Sequence, residues 1–119
     1  MLGPKVKLTT QGDVTILALQ GEFIGGKETE DLRDALAQES KDETKKLLID
    51  LAGATYLNST ALGVLIAGHT NFSKRGGSIG LCNVSKNIEN IFVITKLTLV
   101  FNIYSTREEG VAQMAAAGK

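Results

Sequence analysis

Apolar and polar residues recur along this chain with two different periods, which predict strands and helices in turn. Short runs rich in branched apolar residues predict strands, and apolar residues three or four positions apart predict amphipathic helices. The predicted strands cover residues 6–10, 13–20, 46–51, 78–84 and 100–104. The predicted helices cover 29–39 and 59–75, a segment carrying Ile88, Ile91, Phe92 and Ile94, and a terminal segment that opens at Thr106. This alternation indicates an α/β domain with an at least partly parallel sheet.

Three features refine these elements. The third predicted strand contains the nearly continuous apolar run Leu47-Leu48-Ile49, which is typical of a strand buried on both faces and which ends at Asp50. Glycines at 76 and 77 are expected to end the second helix, because glycine tolerates the left-handed cap conformation. The glycine-rich residues 21–26 are expected to break the second strand.

The start of the second predicted helix is the most informative part of the chain. Asn58, Ser59 and Thr60 precede or open this helix, and Asn58 or Ser59 is the expected N-cap. Two hydroxyls therefore lie at a helix N-terminus, where unpaired backbone N–H groups and the helix dipole would accommodate a phosphate. The alternative is that these residues only cap the helix, which stabilises it by about 1 kcal/mol.

A helical wheel divides this helix into two faces. The predicted core face carries Leu62, Leu65, Ile66, His69 and Phe72. The other positions are small and partly apolar, and they are Thr60, Gly63, Val64, Ala67 and Asn71. Either another protein approaches this small-residue surface closely, or the helix is an ordinary buried one that lies beneath a neighbouring loop.

Composition restricts the classes of function. The 119 residues suffice for one domain, 1–119, with a core of about 6–116, and thirteen acidic residues balance thirteen basic ones. This balance favours neither nucleic acid nor a membrane as partner. With one cysteine and one histidine, an internal disulfide and a multi-histidine or cysteine-rich metal site are excluded. Cys82 is expected in the core, and His69 is expected to be partly buried with its hydrogen bonds satisfied.

The compartment is predicted from targeting signals. The first residues, Met1 to Lys5, lack the apolar segment of a signal peptide. No apolar run approaches the roughly 18 residues that a membrane-spanning helix needs. We therefore expect a cytoplasmic protein.

A second motif offers an alternative function. Residues 21–27, from Gly21 to Lys27, nearly match the phosphate-binding loop GxxxxGK[ST] and lie between a predicted strand and a predicted helix. Asp50 mimics the aspartate of the associated magnesium site. Glu28, however, replaces the hydroxyl that binds magnesium and would bring a carboxylate near the phosphates. Nucleotide binding through this loop stays an alternative.

Segment 48–65, LIDLAGATYLNSTALGVL, resembles the STAS domain of bacterial anti-sigma factor antagonists. The family has an apolar strand there, then a short loop and the pattern Asp-Ser-Ser/Thr-Gly/Ala-Leu-Gly. Residues 21–23 resemble the Gly-Glu-Leu of the family, and the glycines at 76 and 77 and the segment 82–85 also fit. The resemblance covers roughly residues 6–115 and implies a STAS-like domain, with a mixed sheet of four or five strands and about four helices.

The resemblance also implies a function by binding, with no catalysis and no cofactor. The unmodified antagonist binds an anti-sigma factor that is also a serine kinase, and so frees a sigma factor for transcription. The kinase then phosphorylates a serine that corresponds to Ser59, with Thr60 as the fallback acceptor, and a phosphatase reverses this step. The residues expected to contact the partner are Asn58, Ser59, Thr60, Gly63, Val64 and Ala67.

The chain departs from the family pattern at two places. Asn58 stands where the family has aspartate. Asparagine keeps the capping oxygen of aspartate but lacks its charge. Residues 24–26, Ile-Gly-Gly, stand where the family has an aspartate after Gly-Glu-Leu, so that contact is not carried over. Asn58 favours a second alternative, in which the domain is a non-switching STAS subunit that scaffolds a signalling or transporter assembly.

Overall fold

Two strands, followed by alternating helices and strands, make up residues 3–116, the part of the chain that the computed structural model describes. The strands are β1 (Val6–Gln11), β2 (Val14–Phe23), β3 (Lys46–Leu57), β4 (Ser78–Cys82) and β5 (Asn102–Tyr104). The α-helices are α1 (Lys27–Glu39), α2 (Ser59–Lys74), α3 (Lys86–Ile94) and α4 (Arg107–Ala116), and a short 3-10 helix covers Leu97–Leu99. No helix within these residues is long and apolar enough to cross a bilayer. The predicted α/β class is confirmed.

The five strands form one mixed sheet in the order β1-β2-β3-β4-β5. β1 pairs antiparallel with β2, and the other three neighbouring pairs are parallel. Parallel neighbours require crossover connections, which α1, α2 and α3 provide. Because the carboxyl ends of parallel strands share one edge of the sheet, the loops that follow β2, β3 and β4 lie along that edge.

β2 and β3 continue beyond the apolar runs that predicted them. The predictions ended these strands near residues 20 and 51, whereas they end at Phe23 and Leu57. The two strands pair with each other up to these residues, across register shifts on either side of Gly21. Gly21 has φ +84°, which glycine adopts without steric cost at such an irregularity. The expected break of the second strand was therefore wrong for residues 21–23.

Helices cover both faces of the sheet. Leu47 and Ile49 belong to the larger core with residues of α1, α2 and α3, and Leu48 belongs to a smaller cluster with Met114 of α4. All three leucine and isoleucine side chains are fully buried, which confirms the predicted burial of β3 on both faces. Cys82 lies in the smaller cluster as predicted, and burial raises the pKa of its thiol to about 12.

A buried carboxylate anchors α4 to the sheet. Oδ2 of Asp50 accepts a hydrogen bond from Nε of Arg107 at 2.9 Å and forms an ion pair with Nη2 of the same guanidinium at 2.8 Å. Its Oδ1 accepts from the backbone N–H of Ala52 at 2.9 Å and from Nδ2 of Asn83 at 3.1 Å. Burial alone would raise the pKa of Asp50, but these hydrogen bonds and the guanidinium charge lower it below 3.8. The two oxygens of Asp50 thus connect β3 to α4 and to the residue that follows β4.

Candidate functional site

The start of α2 is fixed by the side chain and backbone of Asn58. Its Oδ1 accepts a hydrogen bond from the N–H of Ala61 at 3.0 Å, and its carbonyl accepts from the N–H of Leu62 at 3.0 Å. The N–H of Asn58 donates to the carbonyl of Phe23 at 3.0 Å, which joins the ends of β3 and β2. Of the two candidate N-caps, Asn58 is therefore the one that caps, and an asparagine meets this role as well as an aspartate does.

The hydroxyls of Ser59 and Thr60 take no part in capping α2. Ser59 is the first residue of α2, and both side chains are exposed. Among the hydrogen bonds within residues 3–116, none involves either hydroxyl, because Asn58 supplies the cap. The first turn of α2 contains no acidic residue, so no carboxylate there offsets the positive end of the helix dipole.

The loop between β2 and α1, residues 24–26, lies beside the start of α2. A Cβ placed on Gly25 would lie 3.8 Å from Nδ2 of Asn58 and 3.8 Å from Cβ of Thr60. Ile24 in this loop is 54% exposed, and Tyr56 near the end of β3 is 46% exposed. Two large apolar side chains and two free hydroxyls therefore occupy the same edge of the sheet.

Comparison with known proteins identifies the family. The sequence matches the STAS domain over residues 5–110. The chain belongs to the STAS domain family. It is 30% identical over 95 residues to a STAS-domain containing protein of Pseudomonas aeruginosa, which covers 80% of this chain and 92% of that protein. It is 36% identical over 76 residues to the anti-sigma-B factor antagonist of Bacillus subtilis, which covers 64% of this chain and 66% of that protein.

Solved structures share the fold of this STAS domain. An anti-sigma factor antagonist domain protein from Planctomyces limnophilus superposes with a TM-score of 0.81 at 24% identity, covering 93% of this chain and 98% of that one. The Bacillus protein SpoIIAA in its phosphorylated form superposes with a TM-score of 0.71 at 15% identity, covering 91% of this chain and 97% of that one. The predicted STAS-like architecture, with a mixed sheet and four helices, is confirmed.

The exposed face of α2 differs from the predicted one at two positions. Gly63 and Ala67 are exposed in the STAS domain, so both stay available to a partner. Val64 is only 6% exposed, which corrects its prediction as a partner contact. Ile66 was assigned to the core and is 39% exposed instead. The exposed surface at the start of α2 therefore includes Ser59, Thr60, Gly63, Ile66 and Ala67.

The close approach of α1 explains this rotation of α2. Gly68 is buried, and a Cβ placed there would lie 2.9 Å from Cδ1 of Leu36 in α1. The lack of a side chain at Gly68 thus lets α1 pack against α2, and Val64, one turn earlier, is also buried. The predicted core face follows the largest side chains of α2, whereas its packing against α1 depends on Gly68. A glycine within an apolar helical pattern was the signal that could have indicated the contact.

Substitutions at two glycines of α2 are expected to change stability in opposite directions. We expect Gly68→Val to lower the free energy of unfolding by about 1–3 kcal/mol, because the new side chain meets Leu36 in a filled interface. Gly63→Ala is the matched control, since nothing lies within 4 Å of its added Cβ. It should raise stability by about 0.5–1 kcal/mol through better helix propensity. Urea denaturation followed by circular dichroism measures both; equal effects of the two substitutions would contradict this packing.

The loop 21–27 is already filled by the protein itself. Oε2 of Glu28 accepts hydrogen bonds from the N–H groups of Ile24 and Gly26 at 2.8 and 3.0 Å. Lys27 forms an ion pair with Asp31. The amides and the lysine that would bind phosphate in the motif therefore bind carboxylates of α1, which argues against nucleotide binding here.

The single histidine departs from its prediction in one respect. His69 is partly buried, as expected, and its ring packs edge-on against Phe101 with centroids 5.4 Å apart. Its Nδ1 is buried and has no hydrogen-bond partner among the described residues, so the prediction of satisfied hydrogen bonds was wrong. The ring packs between α2 and the segment that precedes β5, where it serves mainly as part of the apolar contact.

Proposed function

We propose that this STAS domain is an anti-sigma factor antagonist that works by partner switching. Its unphosphorylated form binds an anti-sigma factor that is also a serine kinase, which frees a sigma factor for transcription. Phosphorylation of Ser59 by that kinase ends the complex, and a serine phosphatase restores it. The observation that carries the proposal is the exposed hydroxyl of Ser59 at the first residue of α2, left free by the capping side chain of Asn58.

Similarity to named proteins supports this role. The relative from Bacillus subtilis is named an anti-sigma-B factor antagonist. SpoIIAA is named an anti-sigma factor antagonist and has been solved in both an unphosphorylated and a phosphorylated form. A phosphorylated form of a protein with this fold is what the proposed switch at Ser59 requires.

The switch would act through surface charge. A phosphate on Ser59 adds about −1.5 to −2 charges at the N-terminus of α2. The helix dipole and the unpaired N–H groups of the first turn stabilise that charge, so the domain stays folded. A partner that packs on the same surface would have to desolvate the dianion, which costs several kcal/mol unless it is paired. Each 1.4 kcal/mol lost lowers the affinity tenfold.

Apolar side chains around Ser59 supply binding energy for the unmodified state. Ile24, Tyr56 and Ile66 are large and exposed; they lie in the loop after β2, near the end of β3 and in the second turn of α2. Aromatic and large aliphatic side chains at the centre of an interface dominate its affinity. Thr60, Gly63 and Ala67 are small enough for a partner to approach the helix between them. This arrangement suits binding to a protein surface rather than catalysis.

A pull-down with three baits tests the proposal. Wild type, Ser59→Ala and Ser59→Asp are immobilised, exposed to host lysate, and the retained proteins are identified by mass spectrometry. We expect a serine kinase of the anti-sigma type to be retained by wild type and by Ser59→Ala, and to be lost with Ser59→Asp. Retention of the same proteins by all three baits would contradict the switch and favour the scaffold role, in which Ser59 only belongs to the helix start.

A further inference from the structure

The amides of the loop 24–26 all bind side chains from the first turn of α1. Oε2 of Glu28 accepts from the N–H groups of Ile24 at 2.8 Å and of Gly26 at 3.0 Å. The N–H of Gly25 donates to Oγ1 of Thr29 at 2.9 Å, and the Thr29 hydroxyl donates to the same Oε2 of Glu28 at 2.8 Å. Thr29 is 1% exposed, so the hydroxyl that accepts from Gly25 belongs to a buried side chain.

These contacts hold a segment that has little order of its own. Gly25 has φ +89°, and two of the three loop residues are glycines, which have the greatest conformational freedom of any residue. Successive N–H groups that point to one side form an anion-binding concavity. Here the carboxylate of Glu28 fills it, and the backbone N–H groups with the Thr29 hydroxyl lower the pKa of Glu28 to about 2.

The same loop contacts the start of α2. A Cβ on Gly25 would come within 3.8 Å of Asn58 and of Thr60, the neighbours of Ser59 on either side. Ile24 precedes Gly25 and is 54% exposed, so this loop carries an exposed apolar side chain one residue from its contact with the start of α2. A side chain that is already fixed in its binding conformation loses less entropy when a partner docks.

We infer that Glu28 is a positioning residue, whose carboxylate fixes the loop 24–26 so that Ile24 forms part of the partner-binding surface beside Ser59. This inference rests on the proposed function for the identity of the partner, the serine kinase of the anti-sigma type. It adds a role for α1 in recognition, although α1 itself carries no phosphoacceptor. In this inference Glu28 orders the loop that follows residues 21–23, where this chain lacks the aspartate of the family pattern.

Amide hydrogen exchange on the free protein tests the positioning role without any partner. We expect Glu28→Ala to accelerate exchange at Ile24 and Gly26 by about tenfold or more, since each loses its hydrogen-bond acceptor. Amides of β3 and of the second half of α2 should keep their rates. Glu30→Ala is the matched control, because it removes the other carboxylate of the same helical turn, and it should leave the loop unchanged. Unchanged exchange in Glu28→Ala would overturn the inference, as would acceleration throughout α1.

Affinity for the kinase retained by the wild-type bait tests the second part of the inference, that this loop contributes to partner binding. We expect Glu28→Ala and Ile24→Ala each to weaken binding by about tenfold, a change typical of one central contact, and Glu30→Ala to stay within about twofold of wild type. Equal affinities for wild type, Glu28→Ala and Ile24→Ala would overturn the role of this loop in recognition. If no kinase is retained at all, the proposed function fails, while the exchange measurement still decides whether Glu28 fixes the loop.

Discussion

Ser59→Asp is expected to weaken binding of the anti-sigma kinase by at least about a hundredfold relative to wild type, which corresponds to about 2.7 kcal/mol. The carboxylate imitates part of the charge of a phosphate and lies at an exposed position, so the partner must desolvate it. The helix dipole and the free N–H groups of the first turn favour an acidic residue at this position. Isothermal titration calorimetry with the purified partner measures the change.

Two controls separate the effect of the added charge from loss of the hydroxyl and from loss of the fold. Ser59→Ala should bind within about threefold of wild type, because the Ser59 hydroxyl makes no hydrogen bond within residues 3–116 and only the charge matters. The Ser59→Asp protein should unfold at the same denaturant concentration as wild type or slightly above it. A large loss of affinity in Ser59→Ala, or unfolding of Ser59→Asp, would contradict a switch by surface charge.

Arg107→Met is expected to destabilise the fold by about 2–4 kcal/mol, because it leaves the buried carboxylate of Asp50 without its cation. The hydrogen bonds from Ala52 and Asn83 remain and keep the cost toward the lower part of that range. Methionine keeps much of the length and apolar stem of arginine, so the lost charge is the main change. Urea denaturation at pH 7 measures the effect.

A surface pair provides the control for this substitution. Lys86 and Glu89 of α3 form an ion pair whose side chains are well exposed to solvent. Lys86→Met should therefore change stability by less than about 1 kcal/mol. Equal effects of Lys86→Met and Arg107→Met would contradict the assignment of Arg107 as the anchor of α4.

The effect of Arg107→Met should also depend on pH in one direction. The pKa of Asp50 is lower in the folded protein than its ordinary value of 3.8. Its charged interactions therefore stabilise the fold fully above pH 3.8, and this contribution is lost as the pH falls through the folded pKa. The stability difference between wild type and Arg107→Met should accordingly shrink below pH 3.8, and a difference that grows on acidification would contradict the pairing.

The parts of the fold that depend on local pattern could be predicted from the sequence. The apolar run Leu47-Leu48-Ile49 indicated a strand buried on both faces, and both cores of the sheet include it. The polar cluster at Asn58 and Ser59 indicated a helix start, and α2 begins at Ser59. In each case the signal lies within a few residues, so no knowledge of distant contacts was needed.

The parts that depend on contacts between distant segments could not be predicted in the same way. The rotation of α2, which buries Val64 and exposes Ile66, depends on the fit of Leu36 against Gly68 across two helices. The extension of β3 to Leu57 depends on pairing with β2 after a register shift that no apolar pattern marks. The use of Glu28 to fill its own loop depends on a backbone shape that glycines permit but do not specify.

Site-resolved phosphorylation tests the central claim most directly. The kinase retained by the wild-type bait is incubated with ATP and this STAS domain, and the product is mapped by tandem mass spectrometry. We expect one phosphate, on Ser59, with no modification in Ser59→Ala and full modification in Thr60→Ala, and the phosphorylated protein should no longer bind the kinase. Modification at another residue, or a product phosphorylated at Ser59 that still binds the kinase as tightly as before, would contradict the account.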